Sequence, residues 1–138
     1  MSEANKAVAL KFIEALGKGD AETVKTVITD DVVAIATGTS IGSGTRNHAE
    51  IIAVFGMFGQ ITKTGLNPKI LSVTAEADRV AVEWEGNCTL VNGTQYNNQY
   101  VQVFFLRDGK ICKLKEYFDT KLTDAALGPI FAAAQGKQ

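Results

Sequence analysis

The chain has 138 residues, the length of one domain, with 46% hydrophobic and 21% charged residues and a formal net charge of −1. That balance gives no bulk attraction to nucleic acid or anionic lipid, and neither is expected as a partner. No run approaches the roughly 18–20 apolar residues of a membrane span, and the first residues carry no signal-peptide pattern, so no membrane partner is expected and the expected location is cytoplasmic.

Residues 4–16 read as an amphipathic helix, with Ala9, Phe12, Ile13 and Leu16 on one face. Gly17-Lys18-Gly19 ends it. Asp20 is placed to N-cap a second helix over residues 21–28. Asp30-Asp31 breaks that helix, and the β-branched run 32–36 follows as a short strand. Residues 37–47, rich in Gly, Ser and Thr, read as a loop. A third helix is expected over residues 48–59, with Ile51, Phe55 and Phe58 at helical spacing.

From Asn67 the pattern changes to strands and tight turns. Strands are expected over residues 69–74, 79–91, 95–106 and 110–119, with hairpin signals at Asn92-Gly93 and Asp108-Gly109. Pro129 to Ala134 is a small-residue stretch suited to a short helix. Helices first and a long meander last predict one α+β domain over residues 1–138, a curved antiparallel sheet wrapped around the N-terminal helices. Such a sheet curls into a cone with one internal pocket.

Two-residue turns at both hairpins fix a register. Trp84 then faces Val101, Cys88 faces Asn97, Val103 faces Leu114 and Val101 faces Glu116. One side carries Trp84, Asn97, Gln99, Val101, Val103, Leu114 and Glu116 among apolar neighbours, and reads as the buried side. Tyr96, Tyr100, Gln102 and Tyr117 fall on the other. A single bulge would flip part of a strand.

Glu116 is the informative residue. A carboxylate on an apolar face needs a partner, a raised pKa or a solvated pocket. A raised pKa suits general acid/base work near neutral pH; the alternative is a structural acid hydrogen-bonded to a neighbouring element. Asn97 and Gln99 suit a ligand carbonyl or hydroxyl, or a satisfied rim. Trp84, Val101, Leu114, Phe12, Phe55 and Phe58 are the expected pocket wall. Asp30 and Asp31 fit capping roles better than the pocket mouth. His48 has no second His or Cys nearby, so a metal site has no support. Cys88 and Cys112 lack metal-ligand spacing and read as small buried thiols. The loop from Gly38 to Gly44 lacks the lysine and context of a phosphate loop, and Ser40 and Ser43 lack a base.

The run Tyr96-Asn97-Asn98-Gln99-Tyr100-Val101, followed by Arg107-Asp108-Gly109-Lys110-Ile111 and Lys115-Glu116-Tyr117-Phe118-Asp119-Thr120, resembles the C-terminal half of SnoaL-like proteins of the NTF2-like superfamily. Phe12-Ile13-Glu14-Ala15-Leu16 with Gly19-Asp20 is similar to that family's first helix. The family includes polyketide cyclases, ketosteroid isomerases and limonene-epoxide hydrolases. The resemblance implies a cofactor-free pocket for a small apolar molecule and a homodimer. In the epoxide hydrolases the base is an Asp of the last strand; Glu116 occupies the matching place, with Leu114 where those proteins have Trp. Where they carry an Arg and a second acid, the long second strand offers Trp84, Gly86 and Cys88.

Two functions follow. In the first, Glu116 moves a proton on a small apolar substrate, as in an isomerase, cyclase or lyase of dehydratase type. In the second, the same pocket belongs to a non-catalytic ligand-binding or dimerisation domain.

Overall fold

The computed structural model describes residues 2–135. The first helix, α1 (Ser2–Lys18), buries Ala9, Phe12, Ile13 and Leu16. It ends in a Schellman turn: Asp20 N donates to Ala15 O at 2.8 Å and Gly19 N to Leu16 O at 3.1 Å, with Gly19 at φ +65°. Asp20 then caps α2 (Ala21–Val24) by accepting from Thr23 N at 3.0 Å. This helix is one turn, shorter than the sequence suggests. Val27 and Ile28 leave it early, because Ile111 N donates to Val27 O at 2.8 Å and draws the chain into the sheet.

Strand β1 (Ile28–Ala36) therefore continues through Asp30 and Asp31, where its pairing with β6 shifts register between Ile28 and Val33 and both side chains point to solvent. Asp31 pairs with Arg107 at 2.6 Å on the surface, away from any pocket. A short strand missed in the Gly-rich loop, β2 (Gly44–Arg46), pairs with β1. Helix α3 (His48–Ile61) opens on a full capping box between Asn47 and Glu50. The meander follows as β3 (Lys69–Glu76), β4 (Arg79–Glu85), β5 (Gln99–Arg107) and β6 (Lys110–Phe118).

The last helix, α4 (Thr120–Gln135), is far longer than the expected stretch around Pro129. Asp119 starts it by accepting from Leu122 N at 3.1 Å. Pro129 lies inside it, and the apolar side of α4 that buries Ala126 and Leu127 outweighs the lost backbone bond.

The six strands form one curved, unclosed sheet in the order β2-β1-β6-β5-β4-β3. It is antiparallel except that β1 and β6 run parallel. The helices fill its concave side, and one core cluster joins α1, α3, α4 and the inner face of the sheet. Among the described residues no helix is long and apolar enough to cross a membrane.

Two details of the hairpins change which side chains face inward. The Asp108-Gly109 turn has two residues at positive φ, and Arg107 faces Lys110 as expected. The loop at Asn92-Gly93 holds three residues instead of two. Leu90 N donates to Thr94 O and Gly93 sits at φ +88°, the glycine-terminated three-residue form. That extra residue slides β5 by one against β4, so Trp84 faces Tyr100 and Val82 faces Gln102. A bulge at Cys112 then slides β6 by one against β5, so Gln102 faces Glu116 and Phe104 faces Leu114. A one-residue slip reverses a whole strand.

Tyr100, Gln102 and Phe104 consequently point inward, and Tyr96 and Asn98 are buried. Val101 turns outward at 39% exposure, Val103 shares its outer face, and Asn97 and Gln99 are exposed. Trp84 and Glu116 stay on one side, because the two slips cancel between β4 and β6.

Gly19 joins this frame at a point where a side chain does not fit. A Cβ there would sit 2.5 Å from Gly59 Cα on α3, and the backbone is left-handed. Gly19→Ala is expected to cost roughly 2–4 kcal/mol from strain and overpacking, read as a lower urea midpoint at unchanged slope. An unchanged midpoint would mean that α1 and α3 do not meet at this contact.

Candidate active site

A cavity of about 250 Å³ lies between the inner face of the sheet and the helices. Phe12 and Leu16 of α1, Phe55 and Phe58 of α3, and Leu127 and Phe131 of α4 form its apolar wall. From the sheet come Leu114, Phe118, Tyr100, Gln102 and Glu116, with Ala34 and Ala36 of β1 as a low floor. Arg46 of β2 lines it too.

Glu116 is half-buried, and its accessible surface faces this cavity. In the ladder its neighbours are Ala36 on β1 and Gln102 on β5. Among the described residues, no side-chain hydrogen bond or ion pair reaches its carboxylate. Burial without a partner disfavours the charge. It pushes the Glu116 carboxyl up to about 7, while the Arg46 guanidinium draws it partly back. A structural acid anchored to a neighbouring element would need a partner of this kind.

Gln102 is 1% exposed and stands next to it. Trp84 Nε1 donates to Gln102 Oε1 at 3.0 Å. Indole is a donor only, so the contact fixes the amide carbonyl toward Trp84 and leaves the amide N–H₂ on the other side. Tyr100 stacks on Trp84 with centroids 4.0 Å apart. Burial pushes its hydroxyl well above the usual phenol range. Trp84 thus lies behind the wall and orients two side chains that form it.

A second polar group closes the α4 end. Tyr96 Oη and Thr123 Oγ1 are 2.8 Å apart. Asn98 Nδ2 donates to Tyr96 Oη at 3.1 Å and to Thr123 Oγ1 at 3.0 Å. Thr123 Oγ1 donates to Asp119 O at 3.1 Å, so the Tyr96 proton goes to Thr123. Burial raises the Tyr96 pKa.

The structure brings Glu116, Leu114, Phe12, Phe55 and Phe58 together around the cavity as the sequence suggests. It does not bring Val101, Asn97 or Gln99 there. Val101 lies on the outer face, Gln99 is exposed, and Asn97 is tied to the loop by accepting from Cys88 N at 3.0 Å. Gln102, Tyr96, Tyr100, Thr123 and Arg46 were missed. Tyr96, Asn98, Tyr100, Gln102 and Phe104 share one parity, but Asn97, Gln99, Val101, Val103 and Phe105 on the other are as apolar, so alternation alone does not choose between the two faces. Cys88 is buried, and burial raises its thiol to about 11, which keeps it protonated and inert. No group of three metal-binding side chains occurs among the described residues.

An α+β cone with a partly polar cavity between helices and sheet is the NTF2-like fold. The family model described as SnoaL-like domain matches residues 9–114, and the chain belongs to that family. Among solved structures, PrhC from Penicillium brasilianum superposes with a TM-score of 0.83 at 18% identity, over 96% of this chain and 91% of its own. A SnoaL-like protein from Jannaschia sp. with a provisional polyketide-cyclase name gives 0.74 at 16% identity, over 91% and 92%. A provisionally named isomerase from Rhodopseudomonas palustris gives 0.74 at 20%, over 88% and 96%. A search of curated proteins found no match.

The raised carboxyl has a consequence for stability. Unfolded, Glu116 titrates near 4.5; folded, near 7. Between these values the native state keeps a proton that the unfolded chain has released, so stability falls as pH rises through this window and levels off above it. At about 1.4 kcal/mol per pKa unit, the loss is roughly 3 kcal/mol. Glu116→Gln removes the titration, so its stability relative to the wild type is expected to improve by about 2.5 kcal/mol from pH 5 to pH 8, the part of that loss that falls between these values. Urea unfolding at both pH values checks this; a constant difference would contradict it.

Proposed function

We propose that this protein is an acid/base enzyme that moves a proton on a small, largely apolar substrate, in an isomerisation, cyclisation or elimination. One observation carries the reading: a carboxyl without a partner in an apolar cavity, held near 7 by burial. Such a group takes and returns a proton near neutral pH with little driving force lost either way. An ordinary surface Glu is a weak base there.

In this reading ionised Glu116 removes a proton from a carbon next to a carbonyl. The carbonyl oxygen, which gains negative charge, accepts from the Gln102 amide and the Tyr100 hydroxyl. The proton then returns from neutral Glu116 to another atom of the same substrate. Gln102 and Tyr100 take the polar role first given to Asn97 and Gln99. Trp84 holds both in place. The provisional cyclase and isomerase names of the two neighbours are consistent with proton transfer, although at 16% and 20% identity the likeness itself concerns the fold.

A deuterium-exchange screen tests this. A panel of small apolar ketones in D₂O is expected to exchange α-hydrogens faster with the wild type than with buffer. Glu116→Gln should lower that rate to the buffer level, a loss of a hundredfold or more by the usual size of general-base catalysis, about 10²–10⁴. Exchange that survives Glu116→Gln would end the catalytic reading. Ketone binding with no exchange in either protein would favour the ligand-binding domain.

The proposal includes a homodimer through the outer face of the sheet. Tyr96 and Tyr100 do not contribute to that face, being buried. Val33 and Val101, each 39% exposed, and Tyr117, 45% exposed, do. A paired apolar patch of this kind suits an interface. Sedimentation is expected to give a dimer for the wild type and a monomer for Val101→Lys. A wild-type monomer at micromolar concentration would refute it.

A further inference from the structure

Arg46 is the one cation on the cavity wall among the described residues. Its Nη2 donates to Gly42 O at 3.1 Å, one of the five donors a guanidinium carries. No carboxylate lies within 4.0 Å of it among the described residues. The ladder fixes its relation to Glu116. Arg46 faces Ala34 across β1, and Ala36 faces Glu116 on the other side. The two charged residues thus stand diagonally across β1, roughly 12 Å apart at the backbone by standard strand spacings. On the ladder between them stand the small residues Ala34 and Ala36. That leaves a short trough with a cation at one end and a titrating carboxyl at the other.

We propose that Arg46 is an anion subsite and that the cavity takes a small monocarboxylic acid with an apolar body, its carboxylate held by Arg46 over Ala34 and Ala36. This adds a charged end to the carbonyl substrate of the site described above, and it rests on the reading of Glu116 only for the pH effect. One guanidinium balances one negative charge. A dianionic phosphate would leave a second charge uncompensated in an apolar wall. The planar fork of Arg46 matches a carboxylate with two parallel bonds. The volume bounds the ligand: 250 Å³ equals about eight water volumes at roughly 30 Å³ each, so the whole molecule, carboxylate included, has on the order of eight to ten heavy atoms.

Protonation of Glu116 is coupled to such a ligand. With Glu116 neutral the cavity carries one positive charge; with Glu116 ionised it carries none. The other titratable groups on the wall are the Tyr96 and Tyr100 phenols, which stay neutral at these pH values. The wall residues of α1, α3 and α4 bear no charge. His48 opens α3 two residues beyond Arg46 and is not on the wall.

Octanoate and octanamide, equal in shape and different in charge, are the probes. Calorimetry gives the affinities, and the fluorescence of Trp84, the chain's one tryptophan, reports occupancy through its stack on Tyr100. At pH 6 octanoate is expected to bind about ten- to a hundredfold more tightly than octanamide, the usual worth of a charged hydrogen bond. Arg46→Gln should abolish that preference, and Arg46→Lys should keep part of it. From pH 6 to pH 8 octanoate affinity should fall, with octanamide unchanged; His48→Gln should retain the fall and Glu116→Gln should lose it.

Equal binding of the two probes to the wild type, no binding of octanoate, or a preference that persists in folded Arg46→Gln would each overturn the anion subsite. The wild-type ratio decides even if Arg46→Gln fails to fold. An Arg46-dependent preference without the pH effect would uphold the subsite and count against the titrating role of Glu116.

Discussion

The pairing of β5 with β6 through the Cys112 bulge determines where every chemical group of the cavity stands. The tight Asp108-Gly109 turn starts the two strands in one register, and the bulge moves them into another within five residues. Beyond it, Glu116 sits beside Gln102 and next to Ala36, facing the helices. Without the bulge the same carboxylate would stand opposite Val101 on the outer face, with Lys113 and Lys115 turned toward the helices in its place, and facing solvent it would cost nothing and do nothing. The parallel pairing of β1 with β6 completes the row by placing the smallest side chains, Ala34 and Ala36, where the cavity floor lies.

A carboxyl in that place weakens the fold. Its charge loses water and gains only the distant attraction of Arg46. Its polar neighbours on the wall are tied down, Gln102 by Trp84 and Tyr96 by Thr123 and Asn98. One unpartnered carboxyl beside such anchored groups is the pattern expected of a site that trades stability for reactivity. A binding pocket without chemistry would gain by replacing it with Gln or Leu.

The sequence made the class of fold legible. Periodicity in residues 4–16 and 48–59, the two hairpin signals and the order of helices before strands give the cone, and the SnoaL-like resemblance agrees with the family match. Glu116 was legible as an acid on an apolar strand, since a Glu between Leu114 and Phe118 at alternating positions stands out. Its neighbours on β5 were not. Asn-Gly between strands supports a two-residue and a three-residue loop alike, and the choice rests on backbone geometry that composition does not encode. That single residue reversed β5, exchanging Gln102 and Tyr100 for Val101 and Gln99. Arg46 was hidden because β2 is three residues long inside a Gly/Ser-rich stretch. Helix α4 was masked by Pro129, whose local preference is overruled by burial of the apolar side of that helix.

The direct test of the site is the protonation of Glu116 itself. Carboxyl ¹³C shifts of glutamate-labelled protein, with the Glu116 resonance assigned by its absence in Glu116→Gln, give its pKa. A value near 7 is expected from burial in the cavity. A value at the ordinary 4.5 would mean that the carboxylate is solvated in the folded protein, and that the chemistry assigned to the cavity has no base.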